Sequence, residues 1–407
     1  MSGSRRIIIS LSALFFGMSF IFIANGLVVS SASLLLTQMG AHRLQIGIVI
    51  SFFFIGALVC TIVSHKLISK VGHIRAYTIF TAIFALSALS HSISNNLIFW
   101  AVLRFVLGFS YYSITIVIES WLNAKSKNAT RSRVLSFYEI VFYASFGIGA
   151  MIMSLNLDAN EIFLIGTIFI IFGAIPLNLL KIHAPQVPAP IKISFPKIFS
   201  IAPLALCTGI ISGLCMNGFF SMATLFVLDQ GYSAKEAGNL IVVAMVGGFI
   251  SHALFGKFSD KFGRKYAIIL ASFITFTSSL FFIIIKPSIY MQYFFTFFLG
   301  AGIFVLYALA VARANDVVTD KNRYVEVSSA ILFSYIAGSL LAPLIIGLLI
   351  YYFTHLGFLY FYICASLFLL IFASFQKNVT KPNNAFSVGN SHSMMLSEVL
   401  DDNNKQQ

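Results

Sequence analysis

The chain has 407 residues, 59% hydrophobic and only 10% charged, with a formal net charge of +13. So little charge cannot cover the surface of a soluble domain of this length, which excludes that class. Apolar stretches of eighteen or more residues recur throughout, each long enough to cross a hydrocarbon core of about 30 Å. They are too long and too continuous for barrel strands. Helices satisfy the backbone in lipid, so the expected fold class is an all-α membrane protein with twelve transmembrane helices in two pseudo-symmetric six-helix bundles.

In chain order the spans are expected near 7–35, 44–65, 76–93, 97–122, 133–155, 160–181, 198–228, 236–256, 265–285, 289–314, 324–352 and 355–376. The first follows Arg5 and Arg6, as a signal peptide would. It is too long for a cleaved segment and leads into further spans, so it reads as a helix. Between the sixth and seventh spans lies "IHAPQVPAPIKISFPK", residues 182–197. Its four prolines forbid a helix interior and mark a linker. Residues 1–181 therefore read as one six-helix bundle and 198–376 as a second. The polar tail, 377–407, ends in "DDNNKQQ" and is expected to be disordered.

The positive charge is unevenly placed. With both termini on one side, 21 of the 26 Lys and Arg residues fall on that side. Only Arg43, Lys235 and Lys286 fall on the other, while Arg104 and Arg313 lie within spans. Positive residues stay in the cytoplasm, so both termini are expected there, in the cytoplasmic (inner) membrane. The net charge then needs no nucleic-acid partner. Cys60, Cys207, Cys215 and Cys364 all fall within spans and form no C-x-x-C, which reads as packing.

The two halves match at an offset of 191 or 192 positions. Asn25-Gly26 meets Asn217-Gly218, and Gly47 meets Gly238. Lys66, Lys70 and Gly72 meet Lys257, Lys261 and Gly263, and Tyr143 meets Tyr335. Parallel six-helix repeats are the architecture of alternating-access transporters.

"GKFSDKFGRK" (Gly256 to Lys265) resembles the major facilitator superfamily signature G-x-x-x-D-[RK]-x-G-[RK]-[RK], position for position. In that family it lies in the cytoplasmic loop between helices two and three, with a second copy between eight and nine; this chain has its good copy at eight–nine. "HKLISKVGHIR" (His65 to Arg75) is an eroded second copy, with His65 in place of the Gly and Ser69 in place of the Asp. "RFVLG" (Arg104 to Gly108) resembles the family's helix-four pattern. "ESWLNAKSKNATRSR" (Glu119 to Arg133) resembles the YcaD-type bacterial branch. "FGIGAMIM" in the fifth span has the glycines of the family's drug-antiporter motif without its proline. "GSLLAPLIIG" (Gly338 to Gly347) has both, in the eleventh.

The resemblance implies a conformational latch of Gly256, Asp260, Lys261, Gly263, Arg264 and Lys265. Gly256 would let two helix ends approach, and Asp260 would meet the start of the fifth span beside Arg131 and Arg133. Such a latch forms in one conformation and breaks in the other. Arg104, Gly108, Tyr111, Tyr112, Thr115 and Glu119 recur at three- and four-residue steps, which makes one stripe of a helix. In the family fold helices one, four, seven and ten line the central cavity. The substrate residues implied are then Asn25, Arg104, Tyr111, Tyr112, Thr115 and Asn217. For Arg104 the alternative is snorkelling or a structural bond; for the asparagines it is bridging between helices.

Ser136, Glu139, Tyr143 and Gly147 share one face of the fifth span. A half-buried glutamate can load and release a proton as a cavity opens to each side. Glu139, then Glu119, are the proton-coupling candidates, unless both pair with Arg131 and Arg133. Arg313, Asp316 and Glu326 read as ion pairs of a cytoplasmic gate.

The expected function is secondary active transport of a small organic solute, with protons as a candidate coupling ion. A facilitative uniporter or a drug or metabolite efflux antiporter is the alternative. A third class is a non-transporting receptor or scaffold. No G-x-x-x-x-G-K-[ST] occurs and no His, Asp and Glu cluster has metal spacing, so neither a pump nor an enzyme is expected. No cofactor is called for. The expected partners are the solute, protons and the lipid bilayer, and the expected state is a monomer.

Overall fold

The computed structural model describes residues 12–125, 128–155, 157–179, 199–285, 288–317 and 324–379, with the side chains of His65, Asn123 to Arg133, Leu135, Ser136, Tyr324 to Glu326 and Ser328 left out. The expected linker and most of the tail lie outside these residues. The first six helices are α1 (Ser12–Gln38), α2 (Arg43–Val71), α3 (His73–Ser90), α4 (Leu97–Lys125), α5 (Asn128–Met153) and α6 (Ala159–Asn178). The second six are α7 (Pro203–Leu228), α8 (Ala234–Phe262), α9 (Arg264–Ile285), α10 (Ile289–Val317), α11 (Tyr324–Phe353) and α12 (Leu356–Phe375). A turn at Ser31 interrupts α1, and one at Phe304 and Val305 interrupts α10.

Glycine sets the turns, and it does so in repeat. Gly40 and Gly231 have φ of +79° and +84°; Gly72 and Gly263 have +84° and +101°. Each pair is 191 residues apart and sits at equivalent turns of the two halves. A side chain in this backbone region is strained, so glycine is the residue that ends α2 and α8 there. The consequence corrects the sequence reading. "GKFSDKFGRK" is not a loop: Gly256 to Phe262 complete α8, Gly263 alone makes the turn, and Arg264 opens α9. α2 likewise runs to Val71, six residues beyond its expected end. At the other face, α6 and α8 begin with capping boxes, Asp158 with Glu161 and Ser233 with Glu236.

The halves pack alike. α1 lies along α5 and α6 as α7 lies along α11 and α12; α2 lies along α4 as α8 lies along α10. Burial separates the helices into two kinds. The best apolar windows of α1, α4, α7 and α10 are 67%, 67%, 83% and 78% buried, against 39% for α6 and for α9. The latter expose apolar side chains such as Ile168, Ile171 and Phe172, which fits a lipid-facing ring around a central core. Eleven of the helices are long and apolar enough to cross a membrane by themselves among the described residues, and the apolar part of α5, Phe137–Met153, is shorter.

Candidate functional site

The seam between the halves is closed at one face. The face with the Gly40 and Gly231 turns is called here the distal face, and that with Gly72 and Gly263 the proximal face. At the distal face α2 packs on α11 so closely that a Cβ on Gly47 would stand 2.3 Å from the Pro343 carbonyl oxygen. Gly238 of α8 meets the Ala150 carbonyl of α5 at 2.9 Å on the same measure. These two glycines are repeat mates, so one device seals both sides of the seam. Pro343 belongs to "GSLLAPLIIG", whose helix is therefore a sealing element. Polar contacts complete the closure. Arg43 donates to Asp229 at 3.0 Å, and the Thr224 hydroxyl donates to the Ser30 carbonyl at 2.9 Å.

Behind the seal lies a cavity at the centre of the seam. Asn25 and Asn217, from α1 and α7, line it as a repeat pair, and so do Tyr143 and Tyr335. Tyr111, Tyr112, Thr115 and Glu119 line it from α4, and Glu139 from α5. Phe53 of α2, His252 of α8 and Tyr335 of α11 also contribute, so the lining extends beyond the helices one, four, seven and ten that the resemblance implied. The Tyr138 hydroxyl donates to Glu119 Oε1 at 3.0 Å. Asn217 Nδ2 donates to the Tyr335 hydroxyl at 2.8 Å and to Ser339 at 2.7 Å. A buried hydrogen bond adds about 1 kcal/mol net and fixes the orientation of what it holds.

A second, wider space continues towards the proximal face, between α5, α8 and α10. Glu139, Tyr143, His252 and Ala308 border both spaces and so form the neck between them. The Tyr143 ring lies 5.6 Å from His252 and 6.0 Å from Phe304, which narrows the neck without sealing it. His252 was missed as a site residue because a lone histidine within a span has no spacing to flag it. Tyr335 was flagged only as a repeat match.

Arg104 corrects the sequence reading. It is 1% exposed and does not line the cavity. Its guanidinium donates to the Val28 carbonyl of α1 at 3.2 Å and lies 5.7 Å from the Trp100 ring centre. The stripe of α4 thus divides. Its lower part faces the cavity, Gly108 presses on the Phe53 backbone of α2, and Arg104 ties α4 to α1. Helical spacing placed them on one side but not against one neighbour.

The latch residues are also placed differently. Gly256 is exposed, and a Cβ there would meet no described atom within 4 Å. Asp260 pairs with Arg264 at 3.0 Å, one helical turn on, and Arg264 reaches Asp316 at 3.3 Å. Lys265 donates to the Ser374 carbonyl at 3.0 Å and Lys261 lies over the Phe262 ring. The side chains of Arg131, Arg133 and Glu326 fall outside the described residues. Arg313 donates to the Lys377 carbonyl at 2.7 Å. The Arg313 bond to Lys377 and the Asp316 bond to Arg264 lie within the second half.

The comparisons agree with this geometry. The family model described as Major Facilitator Superfamily matches residues 14–323 and 205–394. An uncharacterized MFS-type transporter, YcaD, of Escherichia fergusonii is 28% identical over 305 residues, covering 74% of this chain and 78% of the relative. The YcaD of Salmonella arizonae is 28% identical over 318 residues, covering 76% and 80%. Among solved structures, the nucleoside transporter NupG superposes with a TM-score of 0.69 at 14% identity, covering 89% of this chain and 96% of NupG. A bacterial homologue of the human lysosomal transporter Spinster gives 0.68 at 15%, covering 99% of each. Two repeated six-helix bundles around a central cavity, the signature at the end of α8 and these matches lead to one conclusion: the chain is a membrane transporter belonging to the Major Facilitator Superfamily.

Proposed function

We propose that the chain is a secondary active transporter that carries a small organic solute by alternating access, with Glu139 coupling the movement to protons. One observation carries this reading. A central cavity between two repeated bundles is sealed at the distal face and continues to the proximal face through a neck. Rocking of the bundles about that cavity would open the distal seal and bring the ends of α5 and α8 together at the proximal one. The basic residues gathered at the proximal face support its being cytoplasmic, in the inner membrane, with the state described here facing inward.

Glu139 borders both cavity and neck, so solute entering from the proximal face passes it. That position supports its role as the coupling group. The test uses reconstituted vesicles, a substrate found by counterflow, and an imposed pH gradient. Wild type should accumulate solute under the gradient, and Glu139→Gln should retain counterflow at saturating solute but lose the gradient-driven part. Unchanged accumulation in Glu139→Gln would sink the coupling assignment. Wild-type flux indifferent to the gradient would make the protein a uniporter.

A further inference from the structure

The central cavity has an uneven chemistry. Glu119 and Glu139 contribute two carboxyl groups, while no lysine or arginine among the described residues lines it. Arg264 borders only the lower space, where Asp260 and Asp316 engage it. Arg104, the one basic group expected here, points instead at the Val28 carbonyl. His252 turns Nδ1 to the Gly248 carbonyl at 2.7 Å.

The walls are aromatic. Six tyrosines and six phenylalanines line the cavity. Phe220 stacks on Phe304 at 5.2 Å between ring centres and meets Phe146 at 4.5 Å, while Tyr307 meets Tyr335 at 4.8 Å. Ring faces carry partial negative charge and attract desolvated cations. An anion would meet those faces and two carboxyl groups, with no lysine or arginine among the described lining residues, which is unfavourable away from water.

The orphaned polar atoms have the same sense. Asn25 Oδ1 and Glu119 Oε2 have no hydrogen-bond partner among the described residues, and the two residues are 5% and 1% exposed. Both atoms are acceptors in the cavity lining, so the matching ligand group is a donor.

We infer that the cavity selects an organic cation: a protonated amine or quaternary group on an aromatic or otherwise apolar body. The charge lies toward Glu119 and Glu139 and the body lies among the rings. The inference rests on the transporter reading and names its substrate class.

Tetraphenylphosphonium and its isosteric anion tetraphenylborate are the probes. Each is titrated calorimetrically into the full-length protein in nanodiscs, with empty nanodiscs subtracted. The cation should bind and the anion should not. Glu119→Gln and Glu139→Gln should weaken cation binding about tenfold or more, the scale of one desolvated charge contact. Glu161→Gln, at the exposed start of α6, should leave it unchanged. Equal binding of both ions, preference for the anion, or full cation affinity in the Glu119→Gln, Glu139→Gln double variant overturns the inference. If that variant does not fold, the comparison of the two ions on wild type decides alone. Counterflow separates the two readings. Flux of some other solute without cation binding removes the cation class and leaves the transporter. Cation binding with no flux of any kind removes the transporter reading instead.

Discussion

Gly47→Ala and Gly256→Ala each add one methyl group, and the structure expects opposite effects on the balance of conformations. At Gly47 the new Cβ would lie 2.3 Å from the Pro343 carbonyl oxygen, about 1 Å short of ordinary van der Waals contact. The obstacle is backbone of a packed helix, so it cannot swing aside as a side chain would. Overpacking of this kind costs about 1–3 kcal/mol. The contact exists only while the distal face is closed, so the cost falls on that state alone. That is about 5- to 150-fold in the ratio of the two states. A closed state populated about 90% of the time would fall to about two-thirds or less. At Gly256 no described atom lies within 4 Å of the methyl group, so no cost is expected in this state. If α5 approaches there in the other state, the same methyl burdens that state and the closed-distal population rises. Spin labels at Gln38→Cys and Lys235→Cys, both exposed at the distal face on opposite halves, report the separation by pulsed electron resonance once the native cysteines are replaced. Gly47→Ala should transfer amplitude to longer distances and Gly256→Ala to shorter ones. An unchanged distribution for a folded Gly47→Ala protein would refute the claim that this contact discriminates between states.

Two further outcomes follow from the corrected placements. Arg104→Met should lower the melting temperature while leaving solute affinity unchanged, because a charged hydrogen bond of about 1.5–3 kcal/mol within one bundle is lost; a loss of affinity with normal melting would return Arg104 to the cavity. The Arg43–Asp229 pair is half exposed on the arginine side, so its coupling across the seam should be within about 1 kcal/mol in a double-mutant cycle of distal-face opening; a much larger value would make it, rather than the helix packing, the main seal.

Composition and pattern by themselves determined the class of this protein. Twelve apolar runs in a chain with 10% charge admit only membrane helices, and the 191-residue offset made them two copies of one unit. Those facts are local or periodic, and lipid leaves the backbone no other solution. The cavity pairs Asn25 with Asn217 and Tyr143 with Tyr335 could be read in the same way, because a repeat carries position with it. Tertiary structure alone decided what each helix face meets. Arg104 and Tyr111 share a stripe of α4, yet one meets α1 and the other the cavity, since successive turns face different neighbours. His252 became a site residue only when α8 met Tyr143 of α5 across the seam, and Tyr138 when α5 met Glu119 of α4. The signature at Gly256 to Lys265 shows the division most plainly. The sequence identified the family from it, but a positive φ at Gly263 made it a helix end, and no described atom stands within 4 Å of a Cβ on its glycine Gly256. Whether two surfaces are in contact depends on the conformation of the whole molecule, and no local spacing encodes it.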